Sequence, residues 1–515
     1  MGHPAQRQHA DSRTCVRPDG YARRRPEETA LYQAVAERWP AFRERVEDAG
    51  GLPKFIVREF EEYLKCGILE HGCLHLVCRS CGYSEVVAFS CKKRGFCPSC
   101  LGRRMAESAV HLEERVLPAV PVRHWICSLP WGLRALLGYD RELCAEVVSA
   151  FVGELSRSLK RRAKRELSLR SVEDAHTGAV CAVQRTDSAL RLNVHLHVLS
   201  LDGVYVRDSE TRKLVFEALE APTHVEVLEV AHRTAERVDR LLRKSARSLE
   251  REGDQPEPDL VLDEPGLAAC YAAAAQGIGV SGERAGQPAL RLVFGEPASA
   301  DAAGPSADEP VAEHRGVNLH AKQCVDGRDR RQLERLCRYV TRPPVAQDRL
   351  VRLADGRLEL AFKRAWKDGT RAIVLEPDDL LVRLVSAVPP PRWHLLRYFG
   401  VLSSHSSLRK EVVPTPPDDP TAHAPPPAPG DQLALRLDEH GDEPPRRKRW
   451  AWLLRHVFAA DLDACARCGG PMRWVEAAAT REAAGDLLAR LGLAPRPPPA
   501  RPFVPLGQLE LPFAR

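Results

Sequence analysis

Residues 192–206 read LNVHLHVLSLDGVYV. Apolar and polar positions alternate along this run, which predicts a β-strand. Successive side chains of a strand leave opposite faces, so His195 and His197 share one face. Val194, Leu196 and Val198 then point the other way and can pack on a core. The preceding AVCAVQR (179–185) is a second β-rich run, and the turn-like TDSALR (186–191) joins the two into a predicted hairpin. Two imidazoles on one face can grip a single cation and leave positions open for a substrate oxygen. Gln184 is the polar residue of the paired strand best placed to add a third ligand, and Asp202 is a second candidate. Histidines satisfied by hydrogen bonds inside a core are at least as common. The pair therefore gains weight only if a chemical partner lies elsewhere in the chain.

Tyr339, in RRQLERLCRYVTRPP (330–344), is such a partner. Leu333, Leu336, Cys337 and Val340 follow helical spacing and form a buried stripe, with Tyr339 at its edge. Arg335 and Arg342 fall on the tyrosine's own face of the helix, and Arg338 is adjacent. Guanidiniums beside a phenol favour its ionised form and hold a phosphate next to it, as attack on a phosphodiester requires. The plainer alternative is a tyrosine covering the core edge beside surface arginines.

Cysteine is the unusual component of the composition. Of 16 cysteines, Cys66, Cys73, Cys78, Cys81, Cys91, Cys97 and Cys100 crowd one short stretch. Each CxxC turn aims two sulfurs at one point, and two such turns make a tetrahedral zinc site. The spacing predicts one site from Cys78, Cys81, Cys97 and Cys100. Cys66, His71 and Cys91 are expected to form a second, with Cys73 or His75 in reserve. Zinc-bound thiolates are redox-inert, so the expected role is structural. Lys92, Lys93, Arg94, Arg103 and Arg104 give this block a basic rim suited to phosphate. Near the C-terminus DLDACARCGGPMRWV holds one further CxxC, Cys465 and Cys468, which reads as half a site: a decayed ribbon, or one that borrows His456 or another ligand.

The chain has 515 residues, 44% of them apolar, and a formal net charge of +6. Those values exclude a wholly disordered polymer and suit several domains. No run reaches the roughly 18 apolar residues of a membrane span, and the first residues lack the apolar centre of a secretory leader. The expectation is a cytoplasmic protein that joins the nucleoid when acting. Its organisation reads as a mobile basic tail and first helix (1–45), a zinc-binding domain (46–110), a core (111–250 and 312–412) interrupted by an Ala-, Gly- and Pro-rich insertion (251–311), a Pro-rich linker (413–448) and a small C-terminal unit (449–515). The basic run SRSLKRRAKREL (156–167) is expected to touch DNA backbone. Trp393, His394, Arg397 and Tyr398 suit either a single-strand groove or a packed edge. A hairpin is expected around Lys367-Asp368-Gly369, after AFKRAW.

Three stretches taken together, SCKKRGFCPSCLGRRM (90–105), NVHLHVLSLDGVY (193–205) and RYVTRPPVAQDRL (338–350), resemble the transposases of the IS91 group, which are HUH endonucleases. The resemblance runs from about Cys66 to Val413, includes PRWHLLRYFGVLSSHSSLR (391–409), and extends into the C-terminal unit. It implies an α+β fold with a central antiparallel sheet flanked by helices and a small zinc-binding N-terminal domain. It also implies rolling-circle transposition on single-stranded DNA at element ends and target. His195 and His197 match the metal pair, Gln184 the third ligand, and the implied ion is Mg²⁺ or Mn²⁺. Tyr339 matches the nucleophile that becomes joined to the 5′ end. The founding pattern has two tyrosines four residues apart. Here Arg335 and Pro343 occupy the flanking positions, so the chain looks like the single-tyrosine branch. The second strand transfer then needs either a second protomer, as in a homodimer, or the freed 3′ hydroxyl. Two other functions suit the same residues: a zinc-ribbon nucleic-acid-binding protein without catalysis, and a metal-dependent hydrolase of small phosphoesters.

Overall fold

A computed structural model of the chain describes residues 24–244, 260, 263–293, 309–414 and 464–494. The basic tail up to residue 23, parts of the expected insertion (251–259, 261–262 and 294–308), the Pro-rich stretch from 415 to 448 and His456 lie outside the described residues. In chain order the helices are α1 (Ala30–Glu47), α2 (Lys54–Lys65), α3 (Pro98–Arg115), α4 (Arg134–Tyr139), α5 (Arg141–Glu166), α6 (His224–Lys244), α7 (Pro265–Gln276), α8 (Arg330–Val340), α9 (Pro377–Ala387), α10 (Arg409–Val412) and α11 (Arg481–Arg490). The strands are β1 (Cys73–Cys78), β2 (Ser84–Ala88), β3 (Val122–Ser128), β4 (Gly178–Thr186), β5 (Leu192–Leu201), β6 (Gly203–Arg207), β7 (Leu214–Ala218), β8 (Leu290–Val293), β9 (Val311–His314), β10 (Val317–Val325), β11 (Leu350–Arg352), β12 (Leu358–Ala361), β13 (Thr370–Leu375), β14 (Leu396–Gly400) and β15 (Met472–Ala478).

These elements divide into two compact units. Away from the chain ends, the larger comprises Glu27–Leu64 and Cys91–Pro417, and the smaller Lys65–Ser90 with Asp418–Ala500. The larger unit is built on a six-stranded antiparallel sheet of order β14-β4-β5-β3-β10-β9. On one face Val122, Val180, Ala182, Leu199 and Leu201 pack with Leu112 of α3 and with Leu333, Leu336, Cys337 and Val340 of α8. The helical stripe read from residues 333–340 is thus the stripe that docks, because its apolar side chains recur once per turn. On the other face α4 and α7 pack against β5, and α5 lies on β4 with α6 beside it. Val194, Leu196 and Val198 are fully buried there.

Local chemistry sets the helix ends. Asp140 caps α5 by accepting the Glu142 and Leu143 N–H groups at 2.9 Å each. Asp329 caps α8 by accepting from Gln332 N at 3.0 Å. Both satisfy donors that a first turn leaves orphaned. Within the stretch expected as an insertion, residues 263–293 are folded. The Ala-rich sequence is helix α7, which is apolar nearly all round and buries Leu267, Cys270, Tyr271 and Ala274. Strand β8 completes a second antiparallel sheet, β11-β12-β13-β8. Small residues that resemble a linker in composition here allow close packing instead.

The smaller unit is a three-stranded antiparallel sheet, β15-β1-β2, with α11. Its core is Leu69, Cys73, Val86, Ala478, Ala484, Leu487 and Leu488. The residues around Cys78 and those around Cys465, far apart in sequence, therefore belong to one sheet. No helix among the described residues is long and apolar enough to cross a membrane.

Candidate functional site

The site in the larger unit grows from the β4–β5 hairpin. Gln184 lies directly opposite His195, and Ala182 opposite His197, so the three polar side chains share a face of the sheet. The His195 ring donates from Nδ1 to the Asn193 carbonyl at 2.7 Å, because a carbonyl can only accept. That bond fixes the tautomer and leaves Nε2 as a lone-pair donor. Gln184 spends its amide N–H groups on the last turn of α8, at 2.9 Å to Val340 O and 3.3 Å to Tyr339 O. Its carbonyl oxygen stays available as a ligand atom.

A third histidine belongs to this cluster and was missed from sequence. His124 of β3 sits opposite Leu199, two residues beyond His197 on the same face. Its Nε2 lies 2.8 Å from His197 Nδ1, and its Nδ1 lies 3.4 Å from Gln323 Oε1 of β10. One assignment of protons satisfies the whole row. His124 donates to the Gln323 oxygen, His197 donates from Nδ1 to His124, and His197 Nε2 keeps a lone pair. His197 Nε2 is buried and has no hydrogen-bond partner. A buried nitrogen lone pair without a donor is costly in a metal-free fold and is what a metal ligand requires. The donor set of two imidazole nitrogens and an amide oxygen therefore fits a divalent cation. Burial holds His195 and His197 well below the ordinary histidine pKa, and it pushes His124 down to about 4. All three rings are neutral near pH 7. The signal that could have found His124 was present, since VRHWICS (122–128) reads as an alternating strand that carries one histidine.

Tyr339 lies over this face. Its ring meets His197 edge-on at 5.6 Å between centroids and His124 at 5.8 Å. It is 40% exposed although its helix is anchored below. The Arg342 guanidinium lies 4.6 Å from the ring centroid. The other arginines expected around the ring differ. Arg338 is paired with Glu334 at 2.7 Å, and Arg335 is exposed with no ion pair among the described residues. Arg134 was not anticipated. Its charge, like that of Arg342, acts on His195, and its buried Nε has no hydrogen bond. Asp202 is not a third ligand: it is buried in a bidentate pair with Arg123, at 2.8 and 2.5 Å. Arg123 faces Ser200, on the opposite side of the sheet from the histidines.

Other basic residues read as DNA contacts turn out to be occupied within the protein. On α5, Arg157 pairs with Glu154, Lys160 with Glu173, Arg161 with Glu229, and Arg165 with Glu226. Most of the run is thus paired, with Glu154 of the same helix and with acidic residues of other elements, while Lys164 is exposed with no ion pair among the described residues. Arg103 pairs with Glu107 at 2.8 Å, Arg104 donates to Lys92 O at 2.9 Å, and Arg94 donates to Trp393 O at 2.7 Å. Lys92 is exposed and Lys93 half-buried. Trp393 is fully buried with the Arg185 guanidinium 5.0 Å from its ring, and Tyr398 packs on the main core, so the packed-edge alternative holds for both.

The thiols form sets different from those the spacing predicts. In the smaller unit Cys78 and Cys81 converge with Cys465 and Cys468, not with Cys97 and Cys100, and the four sulfurs lie within 4.8 Å of one another. Cys78 Sγ is 3.5 Å from Cys468 Sγ, and Cys81 Sγ is 3.7 Å from Cys465 Sγ. A tetrahedron of sulfurs around zinc has edges of about 3.8 Å, given Zn–S bonds of about 2.3 Å. The Ser80 N–H donates to Cys78 Sγ and the Arg467 N–H to Cys465 Sγ, one backbone bond to sulfur in each CxxC turn. Although burial works the other way, backbone N–H groups of Cys81 and Ser80 hold the Cys78 thiol down to about 6. In the larger unit Cys91, Cys97 and Cys100 form a second convergence, with Cys91 and Cys100 sulfurs 3.4 Å apart. Cys66 is buried. His71 belongs to neither set. Cys73 is packed in the smaller core, and His75 is bonded to Ser84 Oγ at 2.7 Å. Both donor sets fit structural zinc.

Comparison with known proteins points the same way. A transposase family model matches residues 178–410, and a transposase zinc-binding domain of the IS91 type matches residues 34–129. The transposase for insertion sequence element IS801 of Pseudomonas savastanoi pv. phaseolicola is 24% identical over 360 residues, which cover 69% of this chain and 72% of that protein. No solved structure matches.

Proposed function

For a chain that belongs to the IS91 group of transposases, we propose a DNA strand transfer that runs through a 5′-phosphotyrosine on Tyr339. The observation that carries this reading is the placement of the Tyr339 ring edge-on to His197 and His124, above a buried nitrogen that has no partner. His195 Nε2, His197 Nε2 and Gln184 Oε1 would hold Mg²⁺ or Mn²⁺, which when bound supplies Lewis-acid polarisation of the scissile phosphate.

The chain's own residues do the rest. Tyr339 Oη gives its proton to water as it attacks phosphorus, the P–O3′ bond breaks, and the departing 3′ oxygen takes a proton from water. The new phosphotyrosine conserves the broken phosphodiester, so a later 3′ hydroxyl can attack it and restore the phenol without ATP. Arg342 holds the ring by its face and offers positive charge to the phosphate oxygens. Arg134 adds a second guanidinium beside His195. The hydrogen bond from Gln184 to the end of α8 ties the tyrosine helix to the histidine hairpin, which fixes the attack geometry. Single-stranded DNA is the proposed substrate, as the resemblance to the IS91 group implies. Lys92 and Lys93 are proposed auxiliary contacts to the phosphate backbone. Cys78, Cys81, Cys465 and Cys468 are proposed to hold one zinc. Cys91, Cys97 and Cys100 are proposed as ligands of another, for which the sequence offers Cys66.

The test is incubation of the protein with labelled single-stranded oligonucleotides and Mn²⁺, followed by peptide mapping of any covalent adduct. The expected adduct maps to Tyr339, and Tyr339→Phe lowers its yield by about 10³-fold or more while leaving DNA affinity within about twofold. Binding without cutting by the wild type would favour a nucleic-acid-binding protein without catalysis. Turnover that survives Tyr339→Phe would favour hydrolysis by water.

A further inference from the structure

The loop between β12 and β13, residues 362–369, reads Phe-Lys-Arg-Ala-Trp-Lys-Asp-Gly and takes no part in the chemistry above. It is closed by Phe362 N to Arg371 O at 2.7 Å and by Trp366 N to Thr370 O at 2.9 Å. This geometry stacks the Phe362 and Trp366 rings at 4.7 Å with 17° between their planes. Two guanidiniums from other elements lie against the indole, Arg191 at 5.3 Å and Arg291 at 5.5 Å. The indole N–H donates to Ser188 Oγ at 3.2 Å, which docks the loop on the turn joining β4 to β5. That turn leads directly into the strand carrying His195 and His197.

A ring pair of this size normally belongs in a core, yet both rings are only half-buried. The residues interleaved with them, Lys363, Arg364 and Lys367, are exposed and have no ion pair among the described residues. On α5, by contrast, comparable cations are matched to carboxylates. Half-covered rings alternating with unmatched cations complement a polymer of flat bases and phosphates. A duplex would hide its base faces, so the fitting ligand is single-stranded.

We propose that the Phe362–Trp366 stack is a base-stacking platform for single-stranded DNA, set beside the histidine site on the strand that enters or leaves it. Arg191 and His195 are four residues apart on or next to β5, about 13 Å at the rise of a strand. At about 3.4 Å per stacked nucleotide, the platform receives bases within about four nucleotides of the attacked phosphate. The stack orients the strand, and the loop cations hold its backbone. This placement rests on the strand-transfer reading, whereas the affinity it supplies does not.

The experiment measures binding of a fluorescent single-stranded oligonucleotide without metal, on a Tyr339→Phe background of the full chain. Trp366→Ala and Phe362→Ala are expected to weaken binding roughly 5- to 150-fold, with an unchanged salt dependence. Trp366→Phe should keep affinity within about threefold. Lys363→Ala with Lys367→Ala should instead lower the slope of log affinity against log salt by about 1.4, the value for two single-strand contacts. A strand with abasic positions throughout should bind the wild-type loop and Trp366→Ala alike, and more weakly than the ordinary strand. The proposal is overturned if Trp366→Ala, with unchanged melting, binds within twofold of its parent. It is equally overturned if the protein with an intact loop binds abasic and ordinary strands equally, a comparison that needs no variant of the loop to fold. Failure of the wild type to form an adduct would sink the strand-transfer reading and leave these binding results standing.

Discussion

His124 shows what one side chain decides at the site. It touches no expected substrate atom, but its hydrogen bond to His197 Nδ1 and its contact with Gln323 orient the ring whose other nitrogen is left unpartnered. His124→Ala is expected to weaken Mn²⁺ binding by about 10- to 100-fold, the usual effect of losing such a support. Titration of Mn²⁺ by calorimetry reads this without any turnover, and unchanged affinity would reduce His124 to a packing residue. The pair His195 and His197 was legible because two residues on one strand share a face by simple alternation. His124 was not, because strand pairing brings it in from a segment some seventy residues earlier, and pairing order is not written in local pattern. The fate of Asp202 has the same origin. The sequence shows an acid near the histidines, but only the sheet shows that Arg123 claims it on the other face.

Among elements, the approach of α1 to α9 depends on a buried charge. Asp378 in the first turn of α9 has a side chain only 1% exposed and accepts from Arg38 of α1 at 3.0 Å and from Arg45. Burial works to raise its pKa, but the two guanidiniums hold it below the ordinary 3.8. A carboxyl depressed in the folded state adds stability at pH values above 3.8, and that contribution is lost as pH falls through the folded value. Removing both partners with Arg38→Ala and Arg45→Ala leaves a buried charge unmatched, at a cost of about 3 kcal/mol near pH 7. In that variant burial alone acts, so protonation relieves the fold, and the gap to wild type should shrink as pH is lowered to about 4. Urea midpoints at the two pH values check this, and a constant gap would contradict it. Helix α8 and the β4–β5 hairpin were readable because their periodicities are long and unbroken. The pairing of α5 was not readable because charge shows in a sequence but partners do not. Its cations meet Glu173, Glu226 and Glu229, which only the packing of α5 against α6 and the following turn brings close.

For the molecule as a whole, the pairing of cysteines matters most. Proximity in sequence favoured Cys97 and Cys100 as partners for Cys78 and Cys81, whereas the fold supplies Cys465 and Cys468. The half-site at Cys465 and Cys468 was visible, but β15 pairing with β1 is what brings it to Cys78 and Cys81. Cys468→Ser is therefore expected to cost one bound zinc per chain, measured by metal analysis of the purified protein. It should also loosen both Lys65–Ser90 and the segment around Met472–Ala478 in hydrogen exchange. Loss of protection confined to the C-terminal segment would speak against a shared ion.

The same four thiols impose an order on the birth of the protein. Cys78 and Cys468 are 390 residues apart, so at 5–20 residues per second a ribosome needs roughly 20–80 seconds to deliver the second pair after the first. A nascent polypeptide cannot close that cage until Cys468 has been synthesised, and a product terminated before that residue never can. Capture of one atom of metal would thereby report that the ribosome has passed the second pair of thiols.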